Sequence, residues 1–168
     1  MKLEPNDIHI WTIHLNLSPE QENAMHALLS PDEVERADNF RFPNHRQRFV
    51  AARGALRQII ALYLNTSAKS VEFGYTNHDK PYIKVPTTTI QFNLTHSHDL
   101  AVCALTLDHP IGVDIERVQL DDKSAVAKRF FSRHEVAELA NASTEERRAG
   151  FYRIWSRKEA VIKAIGKG

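Results

Sequence analysis

Ile111-Gly112-Val113-Asp114-Ile115-Glu116 is the stretch on which the reading of this chain turns. Its β-branched residues and period-two alternation predict a strand, with Asp114 and Glu116 on one face and Val113 and Ile115 on the other. Further along, Trp155-Ser156-Arg157-Lys158-Glu159-Ala160-Val161-Ile162-Lys163 has helical spacing. It adds a third carboxylate, Glu159, beside Lys158 and one turn before Lys163. Each piece has an ordinary reading. Alternating acids suit the wet face of a half-buried strand, and Glu159 with Lys163 makes a helix-surface pair worth about 0.2 to 0.5 kcal/mol. Taken together they supply three oxygen ligands without a thiolate or imidazole set, which suits Mg2+ or Mn2+ better than zinc. Magnesium commonly completes its coordination with water and substrate phosphate, so a phosphorylated substrate is implied.

Composition bounds the rest. The 168 residues are 42% hydrophobic, enough for a packed interior, and the formal net charge of +1 makes no general field for nucleic acid or membrane. Any anion site is therefore local. The single cysteine, Cys103, lies in the apolar run Leu100-Ala101-Val102-Cys103-Ala104-Leu105 and reads as a core residue. The amino-terminal residues hold no apolar signal region, and no uncharged stretch approaches the roughly 20 residues of a membrane span. A cytoplasmic protein is expected. Because Ala164-Ile165-Gly166-Lys167-Gly168 ends directly after the richest motif, the chain is also expected to be interrupted there.

The pattern of elements begins with a strand through Ile8, Ile10, Trp11, Ile13 and Leu15. Ser18-Pro19 and Ser30-Pro31 read as helix starts, and Asn44 as the cap of a long helix ending near Asn65. Short strands are predicted over residues 71–75, 82–85, 90–94 and 100–107, the last two forming a hairpin around Thr95-His96-Ser97-His98-Asp99. Helices follow from Lys123 onward. Ser132 with Glu135 and Ser143 with Glu146 are spaced as capping boxes, and a final helix is predicted over residues 145–165.

Two further clusters carry polar chemistry. His96 and His98 share a face if extended, yet no third zinc ligand stands at recognisable spacing, so His96 is read as a phosphate donor and His98 is left unassigned. Arg36, Arg41, Arg46, Arg48, Arg53 and Arg57 are interleaved with Phe40, Phe42 and Phe49. The ordinary account is a solvated helical face with its phenylalanines in the core; the sharper one gives Arg48 or Arg53 a phosphate.

Phe92-Asn93-Leu94-Thr95-His96-Ser97, the Ile111 to Glu116 stretch, and Arg129-Phe130-Phe131-Ser132 with the run from Phe151 to Gly168 stand in an order that resembles the 4'-phosphopantetheinyl transferase superfamily. The likeness is to the larger monomeric type that activates carrier domains of peptide, polyketide and fatty-acid synthases in secondary metabolite biosynthesis. It implies an α+β fold of two similar halves, residues 1–109 and 110–168, with a cleft between them. Relatives of this type run on into a further strand-rich stretch, so the second half is expected to be incomplete.

The resemblance implies transfer of the 4'-phosphopantetheine arm of coenzyme A to a serine of an acyl or peptidyl carrier protein, as in a holo-[acyl-carrier-protein] synthase, with release of adenosine 3',5'-bisphosphate. By the same likeness Asp114, Glu116 and Glu159 hold Mg2+ or Mn2+, and Lys158 and Lys163 flank the phosphates. Thr95 and His96 lie near those phosphates, with His96, Lys163 and Glu159 as catalytic groups. Glu159 activates the serine directly or through a metal-bound water. Arg48, Arg53 and Lys80 are directed to the 3'-phosphate and adenine. Thr95 stands where many relatives have serine, and Asp79 where glycine is usual. The expected partners are coenzyme A and the carrier protein, with neither nucleic acid nor membrane, and the complete protein is expected to be monomeric. The competing account is a non-catalytic module that binds coenzyme A or nucleic acid through the Arg36 to Arg57 surface.

Overall fold

Alternation through Trp11 and Ile13 builds β1 (His9–His14), after which serine-proline starts open α1 (Pro19–His26) and α2 (Pro31–Asp38). The computed structural model describes residues 1–167, so Gly168 of the quoted carboxy-terminal run lies outside the described residues. The chain continues through α3 (Pro43–Leu64), β2 (Glu72–Tyr75), β3 (Pro81–Val85), β4 (Ile90–Ser97) and β5 (Leu100–Leu107). It closes with α4 (Ser124–Phe130), α5 (Arg133–Asn141) and α6 (Thr144–Ala164). The architecture is α+β, as expected.

Local sequence explains most boundaries. Ser18, Ser132 and Ser143 each accept a hydrogen bond from the backbone N–H of the third residue of their helix, while Gln21, Glu135 and Glu146 reach back to the capping residue. For α3 the expectation fails. Asn44 lies inside the helix, which starts at Pro43 after Phe42 without a side-chain cap. Proline at the first turn loses nothing by lacking an N–H and comes with its φ preset, so it sets the start. Asn65 ends the helix in the left-handed conformation, φ 51°.

β1, β5 and β4 form an antiparallel sheet in that order, and β2 pairs with β3 separately. The register places Trp11 opposite Cys103 and Phe92 opposite Leu105. These side chains therefore share one face, against Leu56, Ile59 and Ile60 of α3. Full burial of side chains such as Leu56, Ile60 and Leu105 contributes about 1.5–3 kcal/mol each. Cys103 is wholly buried there, and burial pushes its thiol up to about 12.

A buried ion cluster fastens α2 to α3. Glu33 accepts from Arg53 Nε at 2.5 Å and from Arg57 Nε at 2.6 Å, and Arg57 Nη1 also donates to the carbonyls of Ala68 and Val71. Burial alone pushes the Glu33 carboxyl up, but the hydrogen bond from Arg57, the charge of Arg53 and the Ser30 backbone together hold it below its ordinary value.

Residues 110–167 differ most from expectation. Helices α4, α5 and α6 pack around Phe131, Leu139, Phe151 and Tyr152, with Phe151 stacked between Phe131 and Trp155. The stretch at residues 111–116 forms no strand ladder, and among the described residues this part of the chain contains no strand. Two of its backbone donors are bound by side chains of β4 instead: Val113 N donates to Asn93 Oδ1 at 2.8 Å and Arg117 N to Ser97 Oγ at 3.0 Å. Its other side lies on α6. A Cβ on Gly112 would sit 2.0 Å from the Ala160 carbonyl oxygen and 2.4 Å from Ala164 N, a contact only glycine permits. Among the described residues no helix is long and apolar enough to cross a membrane.

Candidate functional site

The polar face of β4 and the carboxy-terminal turns of α6 bring three of the expected residues together. Lys163 Nζ donates to Asp114 Oδ1 at 2.6 Å and to Thr95 Oγ1 at 3.0 Å, and the Thr95 hydroxyl donates to Asp114 Oδ1 at 3.3 Å. Period-two alternation presents Asn93, Thr95 and Ser97 opposite Phe92 and Leu94, so the strand that supplies the core also supplies this face. Only 5% of the Asp114 side chain is exposed. Its second oxygen, Oδ2, is buried with no hydrogen-bond partner. A buried carboxylate oxygen left this way costs about 1–3 kcal/mol or more, so the site is built around a charge it only half satisfies.

Glu116 continues the acidic edge in a more exposed position, where Ser97 Oγ donates to its Oε2 over a long 3.4 Å. His96 faces the cations at the end of the same strand. Partial desolvation, then the charges of Arg48, Lys163 and His45, lower its pKa, although the residue as a whole still reaches solvent. It is therefore neutral at pH 7, with one ring nitrogen to donate and one to accept. Arg48 is a quarter exposed and donates to Asp99 Oδ1 at 2.7 Å. That hydrogen bond, with another from Asn16, holds the Asp99 carboxyl below its usual range.

Several expected ligands lie elsewhere. Arg53 is buried in the Glu33 cluster, donates to Tyr75 Oη at 2.7 Å and stacks 4.1 Å from the Phe73 ring, so its guanidinium is committed to the fold. Lys80 Nζ donates to the carbonyls of Ile111, Lys163 and Ala164 at 3.1, 2.7 and 3.1 Å. It closes the end of α6, where carbonyls lack helical partners, and burial lowers its pKa. Asp79 beside it adopts φ 57°, a left-handed turn that explains why glycine suits the position. Lys158 pairs with Glu135 at 3.0 Å and lies over Phe131.

The three expected carboxylates are not gathered as a group. Among the described residues no three His, Cys, Asp or Glu side chains come together to hold an ion. The cation at Asp114 is the ammonium of Lys163, which the helical spacing of α6 carries to that carboxylate. The donors that do gather are all oxygens, and one of them, Asp114 Oδ2, is buried and unpartnered. Oxygen donors of this kind fit a hard divalent ion at Asp114 and Glu116. A cleft of about 320 Å³ between α4, α5 and α6, lined by Ala127, Leu139, Phe151 and Tyr152, does not include Asp114 or Lys163. Asn93 and Ser97 stand in the Phe92 to Ser97 motif without a role assigned to them from sequence, although their alternation with Phe92 and Leu94 is a signal that they share the face of Thr95.

Comparison with known proteins agrees with this distribution of motifs. The family described as the 4'-phosphopantetheinyl transferase superfamily matches residues 110–168, and that described as 4'-phosphopantetheinyl transferase, N-terminal, matches residues 16–107. The chain belongs to the 4'-phosphopantetheinyl transferase superfamily. It is 38% identical over 171 residues to the 4'-phosphopantetheinyl transferase HetI of Nostoc sp., a match covering 100% of this chain and 72% of the relative. It is 30% identical over 161 residues to the 4'-phosphopantetheinyl transferase Sfp of Bacillus subtilis, covering 95% of this chain and 70% of that one. A solved holo-(acyl-carrier-protein) synthase from Bacillus anthracis, in complex with CoA (3',5'-ADP), aligns with 22% identity and a TM-score of 0.49 over 60% of this chain and 93% of that chain.

Proposed function

We propose that this chain transfers the 4'-phosphopantetheine arm of coenzyme A to a serine hydroxyl of an acyl or peptidyl carrier protein, as a cytoplasmic, Mg2+-dependent enzyme. The observation that carries the reading is the convergence of Lys163, Thr95 and the buried, half-satisfied carboxylate of Asp114. A new bond forms between the serine oxygen and the β-phosphorus, the pyrophosphate P–O bond breaks, and adenosine 3',5'-bisphosphate departs. Mg2+ held by Asp114 and Glu116 would neutralise charge on the pyrophosphate.

The chain's own residues supply the rest. The Lys163 ammonium, fixed by Asp114 and Thr95, presents a positioned cation to phosphate oxygens. Neutral His96 donates a ring N–H to the same group. We assign the serine proton to Glu159, one helical turn before Lys163, directly or through water. The 3'-phosphate is assigned to Arg48, whose guanidinium stays accessible at the surface, in preference to Arg53 or Lys80.

The test is incubation of the protein with coenzyme A, Mg2+ and a panel of apo carrier domains, followed by intact-mass measurement. One added phosphopantetheine per carrier is expected. Unmodified carriers throughout the panel, with a folded enzyme, would overturn the reading.

A further inference from the structure

The acidic segment has an unusual attachment. Side chains stand out from the plane of a sheet, so bonds from them hold a neighbouring segment over the face of the strand, where backbone ladder bonds would hold it in line with the edge. β4 does this at every second residue. Asn93, only 6% exposed, accepts from Val113 N at 2.8 Å. Thr95 donates to Asp114 Oδ1 at 3.3 Å. Ser97 Oγ accepts from Arg117 N at 3.0 Å and donates to Glu116 Oε2 at 3.4 Å. Each of the two acids is thus bracketed by a bond from β4, and the standoff of one side chain leaves room between strand and segment for the Asp114 carboxylate and the Lys163 ammonium.

On the opposite side the segment cannot retreat. Gly112 rests on the backbone of Ala160 and Ala164, and Lys80 binds the Ile111 carbonyl together with the last carbonyls of α6. The segment is therefore clamped between α6 and the polar face of β4. Asn93 and Ser97 are the clamp members that bind its backbone and take no part in the Lys163 cluster itself.

We infer that Asn93 and Ser97 are positioning residues that aim the carboxylates of Asp114 and Glu116 by binding the backbone on either side of them. This rests on the proposed role of that acidic pair as the cation and phosphate site. Losing one bond changes the local opening equilibrium by about tenfold, and the effect is confined to the amide released.

Ser97 is only partly buried, so Ser97→Ala is expected to fold and carries the test, with Asn93→Ala repeating it at the buried end. Three readouts are taken on the intact protein: amide hydrogen exchange at Val113 and Arg117, Mn2+ affinity by electron paramagnetic resonance, and kcat against KM for coenzyme A. Ser97→Ala is expected to speed exchange at Arg117 about tenfold and weaken Mn2+ binding several-fold, with little change in melting temperature. Ser97→Thr, which keeps the hydroxyl, is expected to restore both. Asn93→Ala is expected to speed exchange at Val113. Unchanged exchange, or faster exchange with unaltered Mn2+ affinity, would overturn the inference. A wild-type protein that binds Mn2+ and responds to Ser97→Ala as stated, yet modifies no carrier, would sink the transferase reading and leave the positioning role standing.

Discussion

Asp114 shows how a single side chain can be read correctly for chemistry and wrongly for its surroundings. Its alternation with Val113 and Ile115 marks a facing carboxylate, and a strand surface would leave such a group solvated. In the fold it is 5% exposed and held by Lys163. Removing one partner of a fully buried ion pair costs about 3–5 kcal/mol, and since Lys163 is a quarter exposed and can rehydrate, Asp114→Ala should lose about 2–3 kcal/mol. Asp114→Asn keeps the shape and should fold more nearly as the wild type does in urea titrations. It should still lower carrier modification by about a hundredfold or more, because the charge that orients Lys163 and would bind the cation is gone. Near-normal transfer by a folded Asp114→Asn protein would remove Asp114 from the site.

Helix α2 is fastened by one buried carboxylate, whereas the segment at residues 111–117 is held from both sides. Glu33 serves two buried arginines of α3, so Glu33→Gln leaves Arg53 and Arg57 without their counter-charge and should cost about 3–5 kcal/mol in denaturant unfolding. The sign of the pH dependence follows from the depressed folded-state pKa. Glu33 stabilises the fold fully above its unfolded value of 4.5 and loses that contribution as pH falls through the lower folded value, so acid unfolding should begin below about pH 4.5. Glu33→Gln should flatten that limb of the stability profile. On the acidic segment, Gly112→Ala places a methyl group inside α6 backbone contact distance. It should cost about 3 kcal/mol and reduce transfer by lifting Asp114 away from Lys163, as measured by thermal unfolding and the carrier mass assay.

Across the molecule, four of the six arginines in the arginine-rich region are engaged in ion pairs. Arg46 pairs with Glu22 and Asp38, Arg48 with Asp99, and Arg53 and Arg57 with Glu33. With a net charge of +1, the protein should show no duplex DNA or RNA retention by filter binding at physiological salt, where non-specific binders have a Kd of roughly 10⁻⁴–10⁻⁶ M. Tight, salt-sensitive retention would revive the nucleic-acid account.

Local physics explains what could be read from the letters. Serine caps with Gln or Glu three residues on, proline at the first turn of α1 and α2, and period-two alternation act within a few residues of chain, so they are visible without a fold. Motif order likewise points to the superfamily and to Thr95, Asp114 and Lys163. What no spacing rule could supply was the partner of each cation. Lys80 reaches carbonyls 31 and 84 residues away, Arg53 a carboxylate 20 residues back, and Lys163 a hydroxyl 68 residues back. Lysines and arginines carry the same charge wherever they fall in the chain. Whether one is a ligand, a helix clasp or half of an ion pair depends on which acceptors the packed elements deliver to it, and on how much water they exclude.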